Sequence, residues 1–121
     1  MICLNLGCGP KENQTVHPLF KKYDVIRVDL NPDVEPDYIA DVRDLSQFDD
    51  NYADGIYCWH VIEHLYPHEI VSTLKGFVRV LKPGGVAIIG TPDLHVAAYQ
   101  IAMGNVDKPI YESPAGPIYA V

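Results

Sequence analysis

Short apolar runs recur along most of the chain, and stretches with helical periodicity or turn residues separate them. Each run has the length of one strand, and strands joined by helical crossovers form parallel sheets. The sequence therefore predicts an α/β fold with an open, mostly parallel sheet and helices on both faces. The predicted strands are Ile2–Leu6, Val25–Leu30, Tyr38–Ala40, Gly55–Trp59 and Val86–Ile89.

Helical periodicity appears between these runs. Apolar residues from Val16 to Tyr23 fall at i, i+3, i+4 and i+7, which predicts a helix there. Ile70–Leu81 has the clearest amphipathic pattern, and the turn residues of Lys82–Gly85 follow it. Asp93–Met103 is a further predicted helix, and we expect loop or extended structure after it.

Composition limits the protein class. A length of 121 residues predicts one domain, and a net charge of −7 disfavours a nucleic-acid partner. No apolar run approaches the roughly 20 residues that cross a bilayer, so we expect no membrane span. Cys3, Cys8 and Cys58 match no metal or disulfide spacing, which indicates free thiols in a reducing compartment and predicts a cytoplasmic protein.

A glycine turn, Gly7-Cys8-Gly9, follows the first strand, and Asp29 ends the second strand 20 residues after Gly9. Glycines let a ligand approach the backbone, and a carboxylate at the next strand end can accept hydrogen bonds from both hydroxyls of a ribose. A dinucleotide and S-adenosylmethionine both fit this geometry. Glu12 stands where the dinucleotide fingerprint has its third glycine, which disfavours an NAD-dependent oxidoreductase.

Five sequence blocks, in order, resemble class I S-adenosylmethionine-dependent methyltransferases of the small-molecule type: LNLGCGP, VIRVDLNP, DYIADVRDLSQF, NYADGIYCWHVIEHL and GFVRVLKPGGVAIIGTPDL. The resemblance implies a Rossmann-like fold. It also implies methyl transfer from S-adenosylmethionine to a small-molecule, lipid or sugar-linked acceptor, with S-adenosylhomocysteine as product. No NPPY-like block follows the fourth strand, which argues against methylation of nucleic-acid bases.

The resemblance assigns cofactor-binding residues to the carboxyl ends of the first four strands. Residues 7–9 would line the methionine part, Asp29 would bind the ribose, and residues 41–42 would meet the adenine edge. Asn5 stands where many family members have an acid. The implied cofactor-binding residues are Asn5, Gly7, Cys8, Gly9, Asp29, Leu30, Asp41, Val42, Trp59 and His60.

His60, Glu63 and His64 are the predicted catalytic residues, and Glu63 or His64 could act as a general base. They spell HxxEH, which also matches an inverted zinc-peptidase motif. No convincing third ligand accompanies it and Pro67 interrupts the segment, so we predict no metal. Arg43, beside Asp41, is either a ligand contact or a surface partner of the neighbouring Asp44.

Complete family members continue into a C-terminal antiparallel strand pair, which this sequence lacks. We therefore predict a single domain over 1–121, with a cofactor-binding core at 1–94 and a partial acceptor segment and tail at 95–121. The alternative to an active methyltransferase is a non-catalytic S-adenosylmethionine-binding module or a truncated methyltransferase fragment. Val86–Ile89 would form an apolar sheet edge, so we expect either the tail after residue 104 or a second chain, in a homodimer, to cover it.

Overall fold

The computed structural model describes residues 1–12, 15–92, 102, 109–113 and 116–119. The chain divides into two compact units, Met1–Thr91 and Pro92–Val121. The predicted helix over 93–103 lies outside the described residues, apart from Ala102. Within the described part of the chain, no helix is long and apolar enough to cross a membrane.

The first unit is built on a five-stranded sheet in the order β3-β2-β1-β4-β5. All four strand pairs are parallel, which confirms the predicted α/β, Rossmann-like fold. The direction of the strand order reverses between β1 and β4, and ligands of such sheets bind outside the carboxyl ends at this point. The strands are β1 Ile2–Leu6, β2 Asp24–Asp29, β3 Tyr38–Ile39, β4 Ala53–Trp59 and β5 Leu81–Gly90.

One face of this sheet packs against helix α1, Pro67–Val80. Leu4 and Ile56 from the sheet and Phe77 and Val80 from the helix are fully or almost fully buried in one cluster. The helix begins three residues before the predicted stretch because Pro67 is tolerated in a first turn. β5 follows at once, and the turn residues 82–85 fall where the pairing with β4 changes register.

The helix predicted from Val16 to Tyr23 is wrong. The structure has only a 3₁₀ turn, Pro18–Phe20, in which the His17 side chain accepts from the Leu19 N–H. Phe20 is fully buried and fills the space above Gly55, on the sheet face opposite α1. Within the described residues of the first unit, α1 is the only helix longer than a single turn, so the second face carries this turn where a helix was predicted.

The second unit contains an antiparallel pair, β6 Pro109–Ser113 and β7 Gly116–Tyr119, where loop or extended structure was predicted. A two-stranded sheet tolerates proline because each strand has a free edge. This pair forms its own sheet, and the five-stranded sheet contains only parallel pairs. β5 is an end strand of that sheet, so coverage of its edge by the tail or by a second copy stays a prediction.

Candidate functional site

A cleft of about 440 Å³ opens at the carboxyl ends of β1, β2, β3 and β4, beside the start of α1. It brings together seven of the predicted site residues from four separate parts of the sequence. The cleft is lined by Gly7, Asp29, Leu30, Ala40, Asp41, Val42, Arg43, His60, Val61, His64, Leu65, Tyr66 and Glu69.

The glycine turn forms the wall of the cleft at the end of β1. Gly7 and Gly9 have φ values of +69° and +71°, which favour glycine. A side chain at Gly7 would also place its Cβ 2.4 Å from Val61 Cγ2. The N–H groups of Gly7 and Cys8 both donate to the carbonyl of Val28, at 2.8 and 3.1 Å, so β2 holds the turn in place.

Asp29 links this turn to the end of β2. One carboxylate oxygen accepts the Gly9 N–H at 2.9 Å, and the other accepts the Asn31 N–H at 2.9 Å. A carboxylate has about four acceptor positions, so roughly two remain for a ligand. The next residue, Leu30, is 61% exposed and presents an apolar surface at the same rim.

Charged side chains join the loop after β3 to the first turn of α1. Arg43 donates to Asp41 through Nε and Nη2, and through Nη1 to Glu69 at 2.6 Å. Glu69 also accepts the Tyr66 N–H at 3.2 Å. The hydrogen bonds from Arg43 lower the pKa of Asp41 and of Glu69, so both carboxylates are ionised at neutral pH.

Residues 4–89 match the protein-family model described as Methyltransferase domain. The chain belongs to this family. None of the curated proteins matches it.

Solved structures agree with the family. A SAM-dependent methyltransferase from Archaeoglobus fulgidus is 26% identical with a TM-score of 0.63, over 76% of this chain and 45% of that one. A protein from Pyrococcus horikoshii OT3 is 25% identical with a TM-score of 0.64, over 89% and 54%. A Methanococcus maripaludis structure, at 20% identity and a TM-score of 0.59 over 84% and 55%, supports the fold alone. This chain thus spans about half the length of these proteins.

The segment after β4 of this methyltransferase domain has an unusual backbone. His60 has a φ of +57°, and its N–H donates to the Gly90 carbonyl at 2.7 Å. Left-handed φ values are uncommon outside glycine and occur more often at functional sites. The Trp59 ring lies against Gly90, where a Cβ would come within 2.0 Å of it, and stacks on Tyr57 at a centroid distance of 5.9 Å.

His60, Glu63 and His64 do not form a helical metal motif. Residues Ile62–His64 form a 3₁₀ turn, and His60 precedes it in the left-handed conformation, so the two histidines do not share a face of an α-helix. Glu63 Oε1 lies 3.9 Å from His64 Nε2. His60 and His64 line the cleft, and no group of three potential metal ligands exists among the described residues.

Four predicted cofactor residues do not line this cleft. Asn5 is 4% exposed and lines a second cleft with Arg27 and Lys21. Gly9 and Cys8 support the turn, and burial raises the pKa of the Cys8 thiol, so this cysteine is a poor nucleophile. Trp59, at 46% exposure, lies beside the site, and the predicted catalytic Glu63 is likewise outside the lining.

Sequence patterns alone do not identify Tyr66 and Glu69 as site residues, and they leave the role of Arg43 open. Glu69 occupies the third position of α1 and its side chain binds the backbone N–H of the cap residue Tyr66, a spacing that marks a helix start. That signal places the first turn of α1 in the sequence, but it does not predict the contact with Arg43. The structure pairs Arg43 with Asp41 and Glu69, which come from two different segments that line the cleft.

Proposed function

We propose that the chain binds S-adenosylmethionine in this cleft and transfers its methyl group to a small-molecule, lipid or sugar-linked acceptor. The observation that carries the proposal is the Asp29 carboxylate, which is held at the end of β2 with acceptor positions left over and faces the cleft. The bound cofactor supplies both the reactive methyl group and its thioether leaving group. The product is S-adenosylhomocysteine.

The hydrogen bonds of the glycine turn favour a ligand without phosphate. The N–H groups of Gly7 and Cys8 donate to Val28, and that of Gly9 donates to Asp29. A dinucleotide places its pyrophosphate on free N–H groups at the start of a helix. Between residues 15 and 23 the chain has only the 3₁₀ turn, so this support for NAD is lacking in the described part of that segment.

Different lining residues contact different parts of the ligand. Asp29 accepts the two ribose hydroxyls, and the exposed side chain of Leu30 offers an apolar contact for the adenine. Gly7 lets the ligand approach the backbone at the end of β1 because no side chain stands there. Alignment of donor and acceptor supplies most of the rate enhancement in such a transfer.

An acceptor that is a weak nucleophile must also lose a proton. We propose that His64 accepts that proton. This residue lines the cleft, and its Nε2 lies 3.9 Å from Glu63 Oε1. A histidine side chain at this position can act as the general base of such a transfer. His60 lines the cleft through a constrained backbone and contributes to its shape.

Calorimetry with S-adenosylhomocysteine, NAD and Zn²⁺ tests the binding. We expect S-adenosylhomocysteine alone to bind and to raise the melting temperature. Asp29→Ala should weaken its binding by about 100-fold, because two hydrogen bonds to a charged group are lost. Asp33→Ala, in the exposed turn that follows, is the matched control and should keep the wild-type affinity.

Two results would contradict the proposal: a wild-type protein that ignores S-adenosylhomocysteine, or a folded Asp29→Ala variant with unchanged affinity. Multiple turnovers with any acceptor separate an enzyme from a non-catalytic binding module. The prediction of a cytoplasmic location is based on three buried free thiols. The prediction that nucleic acid is not a partner is based on the net charge of −7. Both stay predictions.

A further inference from the structure

One arginine joins two segments of the chain that line the cleft. Arg43 follows β3, and its guanidinium contacts Asp41 of its own loop at 2.5 Å and Glu69 of α1 at 2.6 Å. Glu69 uses its other oxygen to accept the Tyr66 N–H. One side chain therefore ties the loop beside β3 to the cap of α1, and both segments line the cleft.

The Asp41 carboxylate uses its hydrogen-bond acceptor positions for Arg43. Its Oδ1 accepts the backbone N–H of Arg43 at 2.9 Å and Nε at 3.0 Å, and its Oδ2 accepts Nε at 3.1 Å and Nη2 at 2.5 Å. These four contacts use about all the acceptor positions of a carboxylate. Asp41 thus has little capacity left for an adenine amino group, and its main role is to orient Arg43.

Global stability does not account for this arrangement. Arg43 is about half exposed, with 48% of its side chain accessible, and exposed ion pairs contribute little to folding. The planar guanidinium can serve two carboxylates at once, which a lysine ammonium does less well. Its geometry is therefore suited to fixing two segments relative to each other.

We propose that Arg43 is a positioning residue that holds the loop after β3 against the first turn of α1, so that the cofactor cleft is formed before the ligand arrives. This inference rests on the proposed function, since it takes this cleft as the cofactor site. A site that is ordered in advance loses less free energy when it binds. Without the bridge, part of the binding energy would be used to order these two segments.

The test compares Arg43→Gln and Arg43→Lys with Arg79→Gln. Arg79 lies on α1, the helix that carries Glu69, and its side chain is exposed to a similar degree. It also joins two segments, because Nη1 donates to Phe48 O and Asp50 Oδ1 and Nη2 donates to Leu45 O. It does not line the cleft. It is therefore a matched control for the loss of a bridging arginine.

Two measurements are made on each folded variant. Hydrogen exchange without ligand should become faster at the amides of residues 42, 43, 66, 68 and 69 in both Arg43 variants, and stay unchanged there in Arg79→Gln. The dissociation constant of S-adenosylhomocysteine should rise about tenfold in both Arg43 variants. In Arg79→Gln the dissociation constant should stay within about twofold of the wild-type value, whatever the change in melting temperature.

Several outcomes would overturn the inference. If Arg43→Gln exchanges faster but binds like the wild type, the bridge is only structural. If Arg43→Lys binds like the wild type, charge suffices and the two-armed geometry is irrelevant. A wild-type protein that does not bind S-adenosylhomocysteine removes the proposed function and this inference together, whereas equal binding by wild type and Arg43 variants removes the inference alone.

Discussion

Replacing Gly7 by alanine tests how closely Val61 packs on the glycine turn. The left-handed φ of +69° costs about 1–2 kcal/mol once a Cβ is present. The new Cβ would also stand 2.4 Å from Val61 Cγ2, and overpacking of this kind costs about 1–3 kcal/mol. We expect Gly7→Ala to lower the free energy of unfolding by about 2–5 kcal/mol.

Gly9→Ala separates the two contributions. Gly9 has nearly the same φ, +71°, but nothing lies within 4 Å of a Cβ added there. It should therefore lose only the backbone contribution, about 1–2 kcal/mol. In a Val61→Ala background the steric overlap is gone, so both glycine substitutions should then cost about the same.

Denaturant unfolding followed by circular dichroism measures these free energies without a ligand. The expected result is that Gly7→Ala is less stable than Gly9→Ala by about 1–3 kcal/mol, and that Val61→Ala removes this difference. Equal losses for the two glycines in the wild-type background would refute the packing of Val61 on Gly7. So would a difference that persists after Val61 is shortened.

Three further predictions follow from the structure. Gly90→Ala would place a Cβ 2.0 Å from the ring of Trp59, the only tryptophan, so its fluorescence spectrum should change; an identical spectrum would contradict that packing. Burial raises the pKa of Cys58 to about 12 and that of Cys3 to about 11, so these thiols ionise at lower pH in the unfolded chain than in the folded protein. The free energy of unfolding should therefore fall as the pH rises above about 9. Cys58→Ala should reduce this fall, measured as the denaturation midpoint, and a fall of equal size in that variant would contradict the assignment to Cys58. If two chains cover the β5 edge, light scattering should give about twice 13.5 kDa, whereas a monomeric mass with a disordered tail would contradict both predicted coverings of this edge.

The parallel sheet and α1 were predictable because their signals are local. Short apolar runs marked β1 and β4, and the repeat of apolar residues from Ile70 onward marked α1. The same reasoning failed between Val16 and Tyr23, where a helical pattern forms only a 3₁₀ turn. Phe20 is buried against Gly55 without a helix around it. Gly55 lies in a distant part of the chain, so the local sequence of the segment does not predict this contact.

The sequence alone determined after which strands the site residues stand: a glycine turn after β1, an aspartate at the end of β2 and a histidine block after β4. Those positions follow from local periodicity and from the conformational freedom of glycine. Only the tertiary structure decided which of these residues meet. Asn5 lines a different cleft. Arg43 forms a hydrogen bond with Glu69, which is 26 residues away in sequence. Such contacts depend on how the loop after β3 and the start of α1 are carried to the same end of the sheet, and periodicity within one segment contains no information about the other.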